Sequence, residues 1–140
     1  MGVVKIQFIP RRPFFWPLFL KFFPQANRPE VVLAFGRKVY SLNQLDIFLA
    51  EHEIRHLKQQ RFSTWRAIIW WIRYWYDPKF RYTQEAEAYR MQYRLFVKYQ
   101  KDRNLRVKYA DKLADNLSGP LYGCDVDKKT ALKDITLFWV

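Results

Sequence analysis

Cysteine and glycine are scarce in this chain, and long apolar runs are absent. Cys124 is the only cysteine, which excludes an intrachain disulfide framework and makes a reducing compartment the simpler expectation. Only four glycines are present, so we expect no long flexible linker. The two most apolar stretches, residues 13–23 and 67–76, each contain a charge and are too short to span a bilayer. We therefore expect no transmembrane helix, and the start of the chain has no signal-peptide pattern.

Hydrophobic residues and positive charge are plentiful. Half of the 140 residues are hydrophobic, which is enough for one folded domain with a real core. The formal net charge is +12. Such a charge attracts nucleic acid, anionic membranes or acidic proteins, and by itself it does not choose among them.

Residues 1–29 contain five of the seven prolines, which are Pro10, Pro13, Pro17, Pro24 and Pro29. Because proline removes backbone donors and interrupts helices, we expect an arm with little regular structure. Its Phe and Trp side chains are expected to cover the core, with a membrane or partner contact as the alternative. Residues 30–140 are then expected to form a single domain.

The remaining residues predict an α+β fold that is mostly α. Residues 31–40 predict a β-hairpin or a short pair of edge strands around Gly36. Helices are predicted at 42–61, with a capping box that starts at Ser41, and at 64–76, with Ser63 or Thr64 as cap. The Asp77-Pro78 pair is expected to end the helix at 64–76. A third helix is predicted at 84–101, with Thr83 as its cap. Further helices are predicted at 104–117 and, after an Asp127 cap, up to about residue 135.

The only two histidines, His52 and His56, flank Glu53 in the pattern His-Glu-x-x-His within the predicted helix 42–61. Residues four apart lie about 40° apart around a helix, so both imidazoles can reach one metal ion. Glu53 points about 100° away from His52, where it can reach a water bound to that ion. Zinc with three protein ligands keeps a fourth position for water, and a glutamate can take the proton of that water.

The third ligand has to be an acidic residue or Cys124, because no third histidine exists. Glu85 and Glu87 lie at the start of the third predicted helix. They are about 200° apart around its axis, so only one of them can face the ion. A fourth ligand from Cys124 would close the site and make it structural.

The motif and the segment around Glu85 resemble the gluzincin type of zincin metallopeptidases. The chain is similar to small metallopeptidase-like proteins of phages and bacteria, which share an HExxHxxQ-like helix, an aromatic stretch and an E-x-E-A helix. Here these are residues 52–59 and 85–88, and the closing LSGPLYG at 117–123 also fits. The resemblance covers residues 31–135. It implies a minimal zincin-like domain that binds Zn²⁺ and hydrolyses peptide bonds, in a bacterial or phage-infected cytoplasm or in a virion.

In gluzincins the glutamate ligand has a polar partner four residues later. That position is Tyr89 for Glu85 and Met91 for Glu87, so the resemblance favours Glu85, with Glu87 as second choice. The family more often has Asp or Asn at the place of Tyr89. Tyr89 and Tyr122 are also candidate donors to the oxyanion that forms during hydrolysis.

A basic surface leaves other functions open. Eight basic residues are distributed along the third and fourth predicted helices: Arg90, Arg94, Lys98, Lys101, Arg103, Arg106, Lys108 and Lys112. Four aromatic residues are interleaved with them: Tyr89, Tyr93, Phe96 and Tyr99. This composition is typical of single-stranded nucleic-acid binders, and an acidic peptide substrate would also fit it. The alternatives to a peptidase are therefore a zinc-stabilised interaction protein of a phage and a nucleic-acid binder with a structural zinc site.

Overall fold

A computed structural model describes residues 4–137 and shows a mostly helical α+β fold. Within these residues the elements follow in this order: β1 (Gln7–Ile9), α1 (Trp16–Phe22), a 3₁₀ turn (Pro24–Ala26), β2 (Leu33–Phe35), β3 (Lys38–Tyr40), α2 (Ile47–Gln59), α3 (Thr64–Tyr76), α4 (Pro78–Tyr99), α5 (Arg103–Ser118) and α6 (Lys128–Thr136). The predicted fold class, α+β and mostly α, is confirmed. None of the helices within 4–137 is both long and apolar enough to cross a membrane.

A small sheet has the strand order β1-β3-β2. The predicted hairpin of β2 and β3 is confirmed, and Gly36 takes a positive φ of 66° in its turn, where a side chain would be strained. The Gly36 N–H donates to Oε1 of Gln60 over 2.7 Å, while Gln60 Nε2 donates to the carbonyl of Ala34. One buried side chain at the end of α2 therefore holds the hairpin in place.

The prediction of little regular structure for residues 1–29 is wrong. β1 pairs in parallel with β3, and Pro17 and Pro24 stand in the first turns of α1 and the 3₁₀ turn. Proline suits a first helical turn because the N–H that it lacks would have no intrahelical partner there. Of the arm's aromatics, Phe19 and Phe23 pack on α3 and cover the core, whereas Phe14 and Phe22 are exposed.

Two predicted helix starts are wrong. The hydroxyl of Ser41 donates to the carbonyl of Asn43, and the cap of α2 is Asp46, whose carboxylate accepts from Leu49 N–H at 2.7 Å. Asp77 does end α3, but its carboxylate also accepts from Phe80 N–H and begins α4 at Pro78. Thr83 lies inside α4, not at its cap. The predicted bounds of α3 and its Ser63 cap are confirmed.

Three buried clusters hold these elements together. α4, α5 and α6 share the largest, α1 packs on α3 through aromatic rings, and the hairpin packs on α2 around Val39 and Leu57. α2 and α4 lie against each other, and α3 also packs against α4. Side chains from all three helices meet at that place.

Candidate metal centre

α2 places its two histidines side by side on a buried face. His52 and His56 are 3% and 4% exposed, and their Nε2 atoms lie 3.2 Å apart. α4 supplies Glu85, which is 4% exposed. Its Oε1 lies 3.1 Å from Nε2 of His52 and 3.2 Å from Nε2 of His56. The three atoms thus form a nearly equilateral triangle, and these residues are the group within 4–137 that could hold a metal ion.

The size of this triangle suits zinc. Ligand atoms around a tetrahedral zinc ion, at bond lengths of about 2.0–2.1 Å, are about 3.3 Å from each other. The three distances here are 3.1, 3.2 and 3.2 Å. Two imidazole nitrogens and one carboxylate oxygen are also a ligand set that zinc accepts, and they leave a fourth position free.

A glutamine faces Nδ1 of each histidine ring. Nδ1 of His56 lies 2.8 Å from Oε1 of Gln59, whose Nε2 donates to the carbonyl of Gln84. Since a carbonyl only accepts, the amide of Gln59 must present its oxygen to His56, whose Nδ1 therefore carries the proton. Oε1 of Gln92 faces Nδ1 of His52 at 3.0 Å, and its Nε2 donates to the hydroxyl of Tyr109. The neutral ring of His56 then has an unprotonated Nε2, and so does that of His52 when its Nδ1 donates to Gln92.

Two Nε2 lone pairs and an ionised Glu85 oxygen consequently point at one another, and only a cation between them can make the arrangement favourable. Without metal, that cation is a proton. Burial lowers the pKa of His56, but the Glu85 carboxylate outweighs burial and raises this pKa to about 9. For Glu85 itself, burial works against ionisation, yet the two histidines hold its pKa well below the usual value.

The second oxygen of Glu85 is bound by α3. The hydroxyl of Tyr74 donates to Oε2 of Glu85 over 2.7 Å, and Tyr74 is 5% exposed. Burial, followed by the nearby carboxylate, raises the pKa of Tyr74 well above its usual value, so this hydroxyl stays protonated. Glu85 therefore offers a single oxygen to the centre and uses the other to accept a hydrogen bond.

Glu53 lies beside the triangle. The residue is 5% exposed. Burial raises the pKa of Glu53, an effect that His52 and His56 oppose. Together with the triangle it lines a cleft of about 520 Å³. A buried carboxylate that faces such a cleft is available to a molecule that enters it.

The candidate donors Tyr89 and Tyr122 line the same cleft, and their hydroxyls are 2.7 Å apart. The ring of Tyr89 packs edge-on against His52, with 4.4 Å between the ring centres. The expected hydrogen bond from Tyr89 to Glu85 is absent within residues 4–137, because Tyr74 occupies that role.

Arg81 connects the end of α3 with the loop after α5, which carry two of the tyrosines of the cleft. Its guanidinium is buried and donates to the carbonyls of Tyr74 and Trp75, at 2.7 and 3.0 Å, at the end of α3. It also donates to the carbonyl of Tyr122, at 2.6 Å, in the loop after α5. One side chain of α4 therefore positions two of the tyrosines.

The structure brings together His52, His56 and Glu85 and leaves out the other two ligand candidates. Glu87, with a side chain 43% exposed, pairs with Arg55 over 3.7 Å and accepts from Gln59 over 3.4 Å. Cys124 is outside the group, and its thiol contacts the carbonyl of Tyr122. Metal binding itself stays a prediction.

Tyr74, Gln59 and Gln92 were missed by the sequence analysis. Gln59 was visible as the last residue of the HExxHxxQ pattern. Gln92 is seven residues after Glu85, which returns it to the same face of α4 after two turns. Tyr74 comes from another helix, so only tertiary packing identifies it.

The aromatic rings of the basic surface differ in their exposure. Tyr89 and Tyr93 are buried, and Phe96 stacks on Tyr109 with 3.8 Å between ring centres. Tyr99 is 61% exposed. Tyr89 and Tyr93 are therefore not available for stacking on bases.

Comparison with known proteins gives no match to a family model, to a curated protein or to a solved structure. The site is therefore interpreted from its own geometry.

Proposed function

We propose that this chain is a zinc-dependent metallopeptidase. In this proposal His52, His56 and Glu85 bind the ion, and Glu53 is the general base. The observation that carries the proposal is the convergence of three acceptor atoms, 3.1–3.2 Å apart, beside the largely buried Glu53 on the wall of the same cleft.

The ligand set supports zinc over a hard cation. Ca²⁺ and Mg²⁺ prefer six or more oxygen ligands, whereas two imidazoles and one carboxylate suit zinc. When bound, zinc lowers the pKa of water and polarises a carbonyl, which is the chemistry that peptide hydrolysis needs. Gln59 and Gln92 keep the imidazoles in the tautomer that binds metal, and Tyr74 holds Glu85 in place.

The remaining groups of the cleft fit the other requirements of hydrolysis. Glu53 would accept the proton of the attacking water and pass it to the leaving amine. The hydroxyls of Tyr89 and Tyr122 are candidate donors to the oxyanion. Acidic and basic side chains both line the cleft, among them Glu30, Asp115 and Lys112. The lining of the cleft therefore does not support an acidic peptide substrate in particular.

One observation favours the alternative of a structural zinc site in a protein without turnover. All three proposed ligands are at most 4% exposed. Structural zinc sites are usually closed by a fourth protein ligand, however, and residues 4–137 provide none in this group.

The proposal is tested by Glu53→Gln, with Glu51→Gln on the same helix as matched control. Hydrolysis of a quenched fluorescent peptide library should fall by about 10²–10⁴-fold in Glu53→Gln and stay unchanged in Glu51→Gln. Both variants should keep one zinc per chain by elemental analysis. Unchanged hydrolysis in Glu53→Gln would refute its role as base. A wild-type protein that binds zinc but cleaves no member of the library would favour the structural site.

A further inference from the structure

The outer sides of α1 and α3 form a continuous apolar surface, here named the α1–α3 face. Its members are 39–82% exposed: Phe14, Leu18, Phe22, Ile68, Ile72 and Trp75. They repeat every three or four residues, so α3 contributes one stripe, and α1 together with Phe14 just before it contributes the other. The rings of Phe22 and Trp75, 4.0 Å apart, join the two stripes.

This surface is not needed to build the metal centre. α3 turns Trp70 and Tyr74 inwards to His56 and Glu85, and its outward residues contribute nothing to that contact. The face lines a groove of about 1290 Å³ on the other side of α3. Phe19, Phe23 and Trp71 line both the groove and the metal cleft, so one layer of aromatic side chains separates them.

Positive charge surrounds the groove. None of its described lining residues is acidic, and six are basic: Lys5, Arg11, Arg12, Arg37, Lys38 and Arg61. An occupant must therefore combine a large apolar area with negative charge at its edge. A second copy of this chain, with a net charge of +12, would place two basic rims against each other.

We propose that the α1–α3 face docks onto the surface of a membrane that contains anionic phospholipid. Acyl chains would cover the apolar side chains, and the phosphates would meet the basic rim. Each Lys or Arg near such a surface strengthens binding about fivefold. Trp and Tyr, with their apolar rings and polar atoms, favour this interface.

The extent of the surface favours a membrane over an acidic helical peptide. Three further exposed residues, Trp65, Ile69 and Tyr76, continue the apolar arc of α3 outside the lining of the groove. A helix seated in the groove would leave them in water, whereas a bilayer would cover them together with the groove. The metal cleft, on the opposite side of α3, would stay accessible.

Vesicle flotation of the full chain tests the proposal. We expect binding to vesicles of phosphatidylcholine with phosphatidylglycerol, much weaker binding to phosphatidylcholine alone, and weakening by salt. The double variant Leu18→Ser/Ile72→Ser should lose binding at least tenfold. The matched control, Leu105→Ser/Val107→Ser, changes two equally exposed residues of α5 and should bind like wild type.

The charge component is tested by Lys38→Glu at the rim against Lys108→Glu on α5. We expect at least a fivefold loss for Lys38→Glu and a clearly smaller one for Lys108→Glu. Wild-type protein that does not bind anionic vesicles would overturn the proposal. An equal loss of vesicle binding in a variant and its matched control would overturn it too. Binding of a synthetic amphipathic peptide with a glutamate-rich polar face, but not of vesicles, would replace the membrane by a protein partner. A dimer that Leu18→Ser/Ile72→Ser dissociates, again without vesicle binding, would assign the face to a second copy.

Discussion

Replacing Tyr74 by Phe removes one hydroxyl from behind the proposed metal ligand and leaves the ring in place. The ring stacks on Trp70, with 4.9 Å between centres, and this contact survives the change. The hydroxyl donates to Oε2 of Glu85 over 2.7 Å in a buried environment. Without it, that oxygen loses its hydrogen bond and Glu85 loses an orienting contact.

The size of the effect follows from the charge of Glu85. A hydrogen bond to an ionised group contributes about 1.5–3 kcal/mol, and each 1.4 kcal/mol is a factor of about ten. Part of this loss also affects the metal-free protein, which uses the same bond. We therefore expect zinc affinity to fall by about 10–100-fold, the range typical for outer partners of metal ligands.

Competition with a chromophoric zinc chelator measures this affinity, and Tyr76→Phe is the matched control. Tyr76 lies on the same helix and is 64% exposed, so its variant should bind zinc like wild type. The metal-free Tyr74→Phe protein should also unfold at a lower temperature than the Tyr76→Phe protein. Wild-type zinc affinity in Tyr74→Phe would refute the view that this hydroxyl holds the ligand.

Three further predictions concern the ions of the centre. Glu85→Ala should reduce zinc affinity by more than about 100-fold, which exceeds the usual effect of removing an outer partner of a metal ligand. Glu87→Ala should bind zinc like wild type. A large loss of zinc affinity in Glu87→Ala but not in Glu85→Ala would identify Glu87 as the ligand. Cys124→Ser should keep one zinc per chain and its stabilisation, about 2.7 kcal/mol when free zinc is 100 times Kd, and loss of zinc would indicate a closed site that includes the thiol. Because the pKa of His56 is raised to about 9, the metal-free protein holds a proton there at neutral pH, and zinc has to displace it. Zinc affinity should therefore fall as pH drops below about 9, and calorimetry at pH 7 in two buffers should report about one proton released per ion; no release would contradict this protonation.

The parts of the site that were predictable depend on spacing within one helix. His52 and His56 are four residues apart, so any helix through them places both rings on one side. The choice between Glu85 and Glu87 needed the resemblance to gluzincins. The contact of Tyr74 with Glu85 could not be predicted, because it depends on how α3 crosses α4 and not on a repeat in the sequence.

The wrong predictions of helices and strands also have local causes. Asp77-Pro78 was interpreted as a helix stop, but Asp is a good cap and Pro suits a first turn, so the same pair also begins α4. The prolines in residues 1–29 were likewise interpreted as helix breakers, although proline also suits a first helical turn. The parallel pairing of β1 with β3 joins Gln7 to Lys38 and leaves no sign in either segment alone.

The contacts of Arg81 determine how the cleft can move. Connecting loops are usually more mobile than the helices that they join, and Tyr122 lies on such a loop. Here the guanidinium of a helix residue binds that loop and the last turn of α3 at once, so we expect the two walls to move together. On the picosecond-to-nanosecond timescale we expect the backbone of Tyr122 to be as ordered as that of Tyr74. We therefore expect the cleft to hold the backbone of both tyrosines in place before any molecule enters it.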